Sequence, residues 1–402
     1  MESRRKVLLV NDFESGGGAE GVFRLTAALL QPLYEVYKYT AYKGFGDSGS
    51  NPFSYVYSKK HFRNIKRIIL EKDIDIVHVH NFRWISPSVF HVNRWLKKHH
   101  KKRVKFILTA HDYLLACPNV AYGYYDKKKG FVRYATDKHP GSFLFRQMDQ
   151  HGIKFSLLKK MQWYCAFRFL KLQKEIDQVV SPSVFLKDIL KLNYPNLPME
   201  VIRNPISSDF KVQAREKTGN GNKEIRLVYV GRIASEKGTD LLLEMLASIK
   251  NEISFHLDIY GTGPLSGEIN PMATRFGLTE MVTYHGFKPF GGIQEAFAGY
   301  DAFIMSSIWY ENAPLSIVEA AMNGLKIIVP GMGGMKELAE LCGNAFLYEL
   351  GNKGSLRIVL ENAQKNIKDG VVVDIQETLK SIFSEKRYLE KIISSYENPA
   401  YR

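Results

Sequence analysis

Residues 302–337 read AFIMSSIWYENAPLSIVEAAMNGLKIIVPGMGGMKE. The apolar run at 302–305 reads as a strand and gives way to a loop holding Trp309, Tyr310 and Glu311. Pro314 sits where a helix would begin, since its missing N–H and fixed φ suit the first helical position. The helix carries Glu319 on its second turn, runs to about Asn323 and is ended by Gly324. A second strand, 325–329, then ends in Pro330-Gly331-Met332-Gly333-Gly334. Strand, helix and strand in so short a span predict a right-handed crossover in a parallel sheet.

The same rhythm extends outward. Strands are expected at 225–230, 255–260 and 282–285, and earlier at 6–11, 74–80 and 105–110, with another ending at 179–181. Helical patterns lie between most of them, one following Gly16, Gly17 and Gly18 through Leu30. Such alternation predicts an α/β protein of two Rossmann-like layers. A chain of 402 residues suits two domains of about 150–200 residues each. The boundary falls near 201–208, where Asn204 and Pro205 interrupt a strand-like run and a polar stretch, 215–223, follows. A final helical segment is expected at about 375–396. In open α/β sheets ligands bind beyond the carboxyl ends of strands, so the site is sought in those loops.

Hydrophobic content of 45% and charged content of 24% fit a globular protein. The apolar run 7–10 is too short for a signal-peptide core, and no stretch approaches the roughly 18 apolar residues of a membrane span. The expectation is a cytoplasmic or peripheral membrane protein. Cys117, Cys165 and Cys342, odd in number and widely spaced, read as reduced thiols. Charge is asymmetric: residues 1–210 carry 35 Lys and Arg against 18 Asp and Glu, and the remainder 21 against 23. The basic half calls for a polyanionic partner. Three of its segments, 59–72, 94–105 and 154–174, mix cations with Phe62, Ile65, Trp95, Phe155, Trp163 or Phe169. That mixture fits docking at an anionic bilayer. No nucleic-acid motif accompanies it, so nucleic acid is not expected as a partner.

Two loops carry the candidate chemistry. In Val230-Gly231-Arg232-Ile233-Ala234-Ser235-Glu236-Lys237-Gly238, Arg232 and Lys237 stand between a strand end and a helix start, which suits a diphosphate. Glu311 and Glu319 could accept hydrogen bonds from sugar or ribose hydroxyls; a capping carboxylate and a solvated helix residue are the alternatives. Glu319 is hemmed by Ile317, Val318, Ala320 and Ala321, where a carboxylate needs a partner. Asp73 and Asp75 mimic a metal-binding D-x-D but open a strand. His78 and His80 share one strand face with no third zinc ligand evident.

Together these segments resemble the large retaining glycosyltransferase family 4. The run from Glu311 to Ala320 is similar to its E-x7-E signature. Gly333-Gly334-Met335-Lys336-Glu337, Gly231-Arg232 with Lys237-Gly238, Tyr260-Gly261-Thr262-Gly263-Pro264 and Tyr284-His285-Gly286-Phe287 match in order. So do Gly17-Gly18-Ala19-Glu20, Thr109-Ala110-His111-Asp112-Tyr113 with Cys117-Pro118, and Ser181-Pro182-Ser183. The chain departs from the pattern at Ile202-Arg203-Asn204-Pro205, where many members have Asn-Gly.

The resemblance implies a GT-B fold, two Rossmann-like domains facing a cleft. Residues 1–203 would form the acceptor side, 204–378 the nucleotide-sugar side, and 379–402 a helix crossing back to the first domain. It implies Arg232 and Lys237 at the leaving diphosphate, Glu319 at the ribose, Glu311 at the transferred sugar and His111 near the reacting sugar. Gly17 and Gly18 would admit the donor closely, and Gly261, Gly286, Phe287, Asn312, Ala313, Pro314 and Leu315 would line it. No metal or other cofactor is expected. The implied activity is transfer, with retention, from a nucleotide-sugar to a glycan acceptor; the basic half extends the expectation to a lipid-linked acceptor in surface polysaccharide synthesis at the inner face of the cell membrane. The rivals are an epimerase of the same fold and a non-catalytic membrane scaffold.

Overall fold

The computed structural model describes residues 4–42, 52–100, 103–128, 130–212, 224–369 and 375–398. The expected polar stretch 215–223, and Lys101 and Lys102 of the second basic segment, lie outside them. Contacts divide the chain into two compact units, Met1–Pro205 with Glu385–Arg402, and Ile206–Ser384.

In the first unit the strands are β1 (Lys6–Phe13), β2 (Glu35–Tyr42), β3 (Ile76–Val79), β4 (Lys105–Thr109), β5 (Gly123–Asp126), β6 (Gly130–Arg133), β7 (Gln178–Ser181) and β8 (Met199–Val201). Six form one sheet in the order β2-β1-β3-β4-β7-β8, every pairing parallel. β5 and β6 make a separate antiparallel hairpin. Val7, Leu8, Leu9 and Val10 are all fully buried, as expected of a strand covered on both faces. β2, β8 and the hairpin were not foreseen. β2 has no fully buried position and β8 spans only three residues, so neither shows an apolar run.

The second unit holds β9 (Ile225–Val230), β10 (Phe255–Tyr260), β11 (Val282–Gly286), β12 (Ala302–Ile304), β13 (Lys326–Pro330) and β14 (Ala345–Tyr348). Its all-parallel order is β11-β10-β9-β12-β13-β14, the doubly wound arrangement in which the first strand lies at the centre. Separate apolar clusters cover the two faces of this sheet.

The final helical segment is two helices, Gln376–Ile382 and Glu385–Glu397. Leu379 and Phe383 are buried in the core of the second unit, whereas Tyr388, Ile392 and Tyr396 are buried in that of the first. The return to the first unit therefore starts at Glu385, six residues later than expected, and the first boundary falls after Pro205 rather than Arg203.

Candidate functional site

A doubly wound sheet opens a crevice where its strand order reverses. In the second unit that point lies between β9 and β12, and the loops leaving their carboxyl ends carry Lys237 and Glu311. The two loops are stitched together: Ile308 N donates to Glu236 O at 3.0 Å, and Ser306 Oγ to Lys237 O at 3.0 Å. Gly238 has φ +63°, and a Cβ there would lie 2.3 Å from Ser306 O. The approach of the two loops thus requires glycine.

Lys237 Nζ meets Glu311 Oε1 at 2.5 Å. Ser307 Oγ and Trp309 Nε1 donate to the same oxygen at 2.6 and 2.7 Å, and the Lys237 ammonium stands 5.1 Å from the Trp309 ring centre. Burial alone would raise the Glu311 carboxyl, but the Lys237 charge and these donors hold it below the usual carboxylate range. The result is an ionised, oriented carboxylate beside a cation. All three donors land on Oε1 and none on Oε2. Ser307 and Trp309 were not assigned roles from sequence, although both stand within four residues of Glu311.

Arg232 does not join this pair. Its side chain is 59% exposed and bonds Glu236 Oε1 at 3.2 Å. Glu319 lies in the helix Leu315–Met322, with Pro314 at the N-cap rather than the first helical position. No described residue donates to the Glu319 carboxylate, and burial pushes its pKa up to about 7. Ala313 and Leu315 pack on the core, and Asn312 O would lie 1.6 Å from a Cβ on Gly334. Gly261, at φ +139°, leaves room for the Gly231 carbonyl, which a Cβ would approach to 1.8 Å. Its visible role is therefore loop crossing. Gly286 faces open space, and Phe287 beside it is 72% exposed.

The first unit reverses strand order between β1 and β3. The loop after β1 holds Gly17, whose N–H donates to Glu20 Oε2 at 2.8 Å, and Gly18, with open space around it. Beyond β3, His80 Nδ1 meets His111 Nε2 at 3.0 Å, and the rings of His78, His80 and His111 stack in a column. His78 has both ring nitrogens engaged, with Tyr396 Oη at 2.8 Å and Thr109 Oγ1 at 2.7 Å, which leaves none for a metal. Burial lowers all three imidazoles, His111 to about 4 and His78 to about 3, so the column is neutral at pH 7. His80 Nε2 is buried without a hydrogen-bond partner. Asp75 accepts the Lys6 N–H at 2.7 Å, and Asp73 caps the helix Lys59–Lys72 in the left-handed region, so each has a structural role.

Comparison with known proteins adds a family reading to each half. Residues 16–210 match the family described as Glycosyltransferase Family 4, and residues 210–366 match Glycosyl transferases group 1. An uncharacterized glycosyltransferase of Methanocaldococcus jannaschii is 24% identical over 177 residues, which cover 41% of this chain and 45% of that one. The amylovoran biosynthesis glycosyltransferase AmsK of Erwinia amylovora is 25% identical over 158 residues, covering 38% and 39%. The chain thus spans less than half the length of these curated relatives. The solved structure of Anabaena Alr3699/HepE in complex with UDP-glucose superposes with a TM-score of 0.64 at 16% identity, covering 98% of this chain and all of that one. This likeness establishes the shared two-domain fold.

Proposed function

We propose that this chain, whose two halves match glycosyltransferase family models, is a retaining glycosyltransferase. It would move a sugar from a nucleotide-sugar to a glycan acceptor in cell-surface polysaccharide synthesis. The observation that carries the reading is the Lys237–Glu311 pair at the strand-order reversal of the second unit. Sugar transfer passes through an oxocarbenium-like state while negative charge builds on the departing diphosphate. Lys237 stabilises that charge by preorganised electrostatics, and Arg232 joins it once drawn from Glu236 by a phosphate. Glu311, held ionised, accepts hydroxyls of the transferred sugar through Oε2. Glu319 takes the ribose hydroxyls and so gains the donors it lacks among protein groups. The family resemblance also assigns the neutral His111 a place near the reacting sugar. Charge neutralisation by two cations leaves no step that requires a metal, and front-face return assisted by the leaving phosphate accounts for retention without a nucleophile.

The polysaccharide assignment draws on AmsK, and a UDP-sugar donor on the ligand named for HepE. The basic first unit extends the reading to a lipid-linked acceptor and to docking at the anionic inner face of the cell membrane.

Calorimetry with UDP-, GDP- and dTDP-sugars tests the proposal. One donor is expected to bind with a dissociation constant that Glu311→Ala and Lys237→Ala both weaken. Failure of every donor to bind overturns the enzyme reading and leaves a scaffold. Interconversion of the donor sugar without transfer would make the protein an epimerase.

A further inference from the structure

The helix Ile153–Trp163 continues through Tyr164–Phe169 and presents an apolar stripe to solvent. Inward it buries Ser156, Lys159 and Gln162 together with Trp163 and Phe167. Outward, Ile153, Leu157 and Met161 follow at a spacing of four and are 76%, 55% and 43% exposed. The preceding loop is pinned to this helix. Phe143 N donates to Tyr164 Oη at 3.2 Å, and Lys160 Nζ to Leu144 O at 2.8 Å. Phe143 turns in against Trp163, with ring centres 5.1 Å apart, while Phe145 projects outward and is 97% exposed. An exposed apolar stripe of this kind marks an interaction surface.

The charge around the stripe selects its occupant. Residues 144–174 contain seven Lys and Arg and a single acid, Asp149. Asp149 is already held by Lys159 at 2.7 Å. A protein partner would need charge depleted from the centre of the interface, whereas a bilayer with anionic headgroups accepts apolar tips ringed by cations. We infer that the loop bearing Phe145 and the outward face of the helix Ile153–Trp163 form a membrane-insertion element, which seats Phe145, Ile153, Leu157 and Met161 at the acyl boundary of an anionic bilayer. The inference rests on the membrane reading proposed above. It adds penetration by named side chains to what the basic surface alone would do by electrostatics.

The test is sedimentation of the full chain with vesicles of mixed phosphatidylglycerol and phosphatidylcholine, and with pure phosphatidylcholine. The protein is expected to bind the anionic vesicles. Part of that binding is expected to survive about 1 M salt, where the screening length is only about 3 Å. Phe145→Ser with Leu157→Ser is expected to lower partitioning on the order of tenfold or more, while Phe145→Leu stays near the parent. Both positions are exposed, so the double variant should keep the parent's thermal midpoint and its donor binding by calorimetry. A folded double variant that partitions like the parent overturns insertion and leaves electrostatic docking standing. A parent that ignores anionic vesicles overturns both, and donor calorimetry reports separately on the enzyme reading. Self-association lost in Phe145→Ser, without vesicle binding, would instead make the stripe a contact between copies.

Discussion

The two strand-order reversals of this molecule are built from the same topology and carry opposite electrostatics. In the second unit the loops after β9 and β12 bring a cation to an ionised carboxylate, Lys237 to Glu311 at 2.5 Å. In the first unit His78 of β3, His80 just after it and His111 after β4 stack three imidazoles that burial keeps neutral. One site pairs a cation with an ionised carboxylate. The other keeps its three imidazoles neutral, with the Arg83 guanidinium lining the same cavity as His80 and His111. The comparison teaches that a shared fold fixes where a site opens, while the loop residues decide what it can do.

The strongest way to break this contrast is Lys237→Ala. It removes the cation and leaves Glu311 with Ser307 and Trp309 alone. Loss of one such stabilising group costs about 2.7–4 kcal/mol, so turnover of the bound donor is expected to fall on the order of 10²- to 10³-fold in steady-state kinetics. A loss below about tenfold would remove Lys237 from the proposed leaving-group site. Tyr396→Phe is the matching probe of the first unit. It deletes the hydroxyl that shares a hydrogen bond with buried His78 Nδ1. An unsatisfied buried group costs about 1–3 kcal/mol, so chemical denaturation should show that loss while donor affinity stays at the parent value. A donor-binding defect in Tyr396→Phe would mean that the column serves the nucleotide-sugar directly.

The second unit was also the more legible. Five of its six strands fall where the sequence predicts them, β14 being the exception, and its two chemical loops sit in windows of a few residues, where Glu311 and Lys237 can be read off directly. The first unit hid more. β2 is half exposed throughout, so it lacks the buried run that announces a strand. The histidine column joins His78, His80, His111 and Tyr396, and the last of these returns from more than 280 residues away along the chain. Spacing cannot encode that meeting, because it follows from the break between Ile382 and Glu385, which sends the last helix to the first unit's core. Arg232 was read as a phosphate ligand beside Lys237, yet without substrate it pairs with Glu236. Sequence names the cation but not which anion holds it.

A pH series sharpens the contrast further. His111 and His78, lowered to about 4 and about 3, should show no imidazole titration between pH 5 and 8 by NMR. Glu319, raised to about 7, should titrate within that range. The sign for stability follows from linkage. A carboxyl whose folded pKa exceeds its unfolded value binds more protons in the native state, so its contribution falls as pH rises from about 4.5 through 7. Glu319→Gln is therefore expected to gain stability relative to the parent at pH 8 and to match it most closely below pH 5, read by denaturant midpoints. Donor affinity should run the other way in the parent, improving as the carboxylate ionises to accept ribose hydroxyls. A flat affinity between pH 6 and 8 would detach Glu319 from the ribose.

The smallest expected effect separates function from stability at a single residue. The Arg232–Glu236 pair is an exposed contact at a spacing of four, a class worth about 0.3–0.5 kcal/mol. Arg232→Ala should therefore leave the thermal midpoint almost unmoved. If a donor phosphate draws Arg232 away from Glu236, the same variant must lose donor affinity, and Glu236→Gln must gain it, because the competing carboxylate is gone. A structural surface pair predicts neither change. Opposite shifts in the two variants, measured by calorimetry with one donor, would place the anion between Arg232 and Lys237. Equal affinities in the parent and both variants would leave Lys237 as the second unit's sole leaving-group cation and tighten the contrast to a single charge.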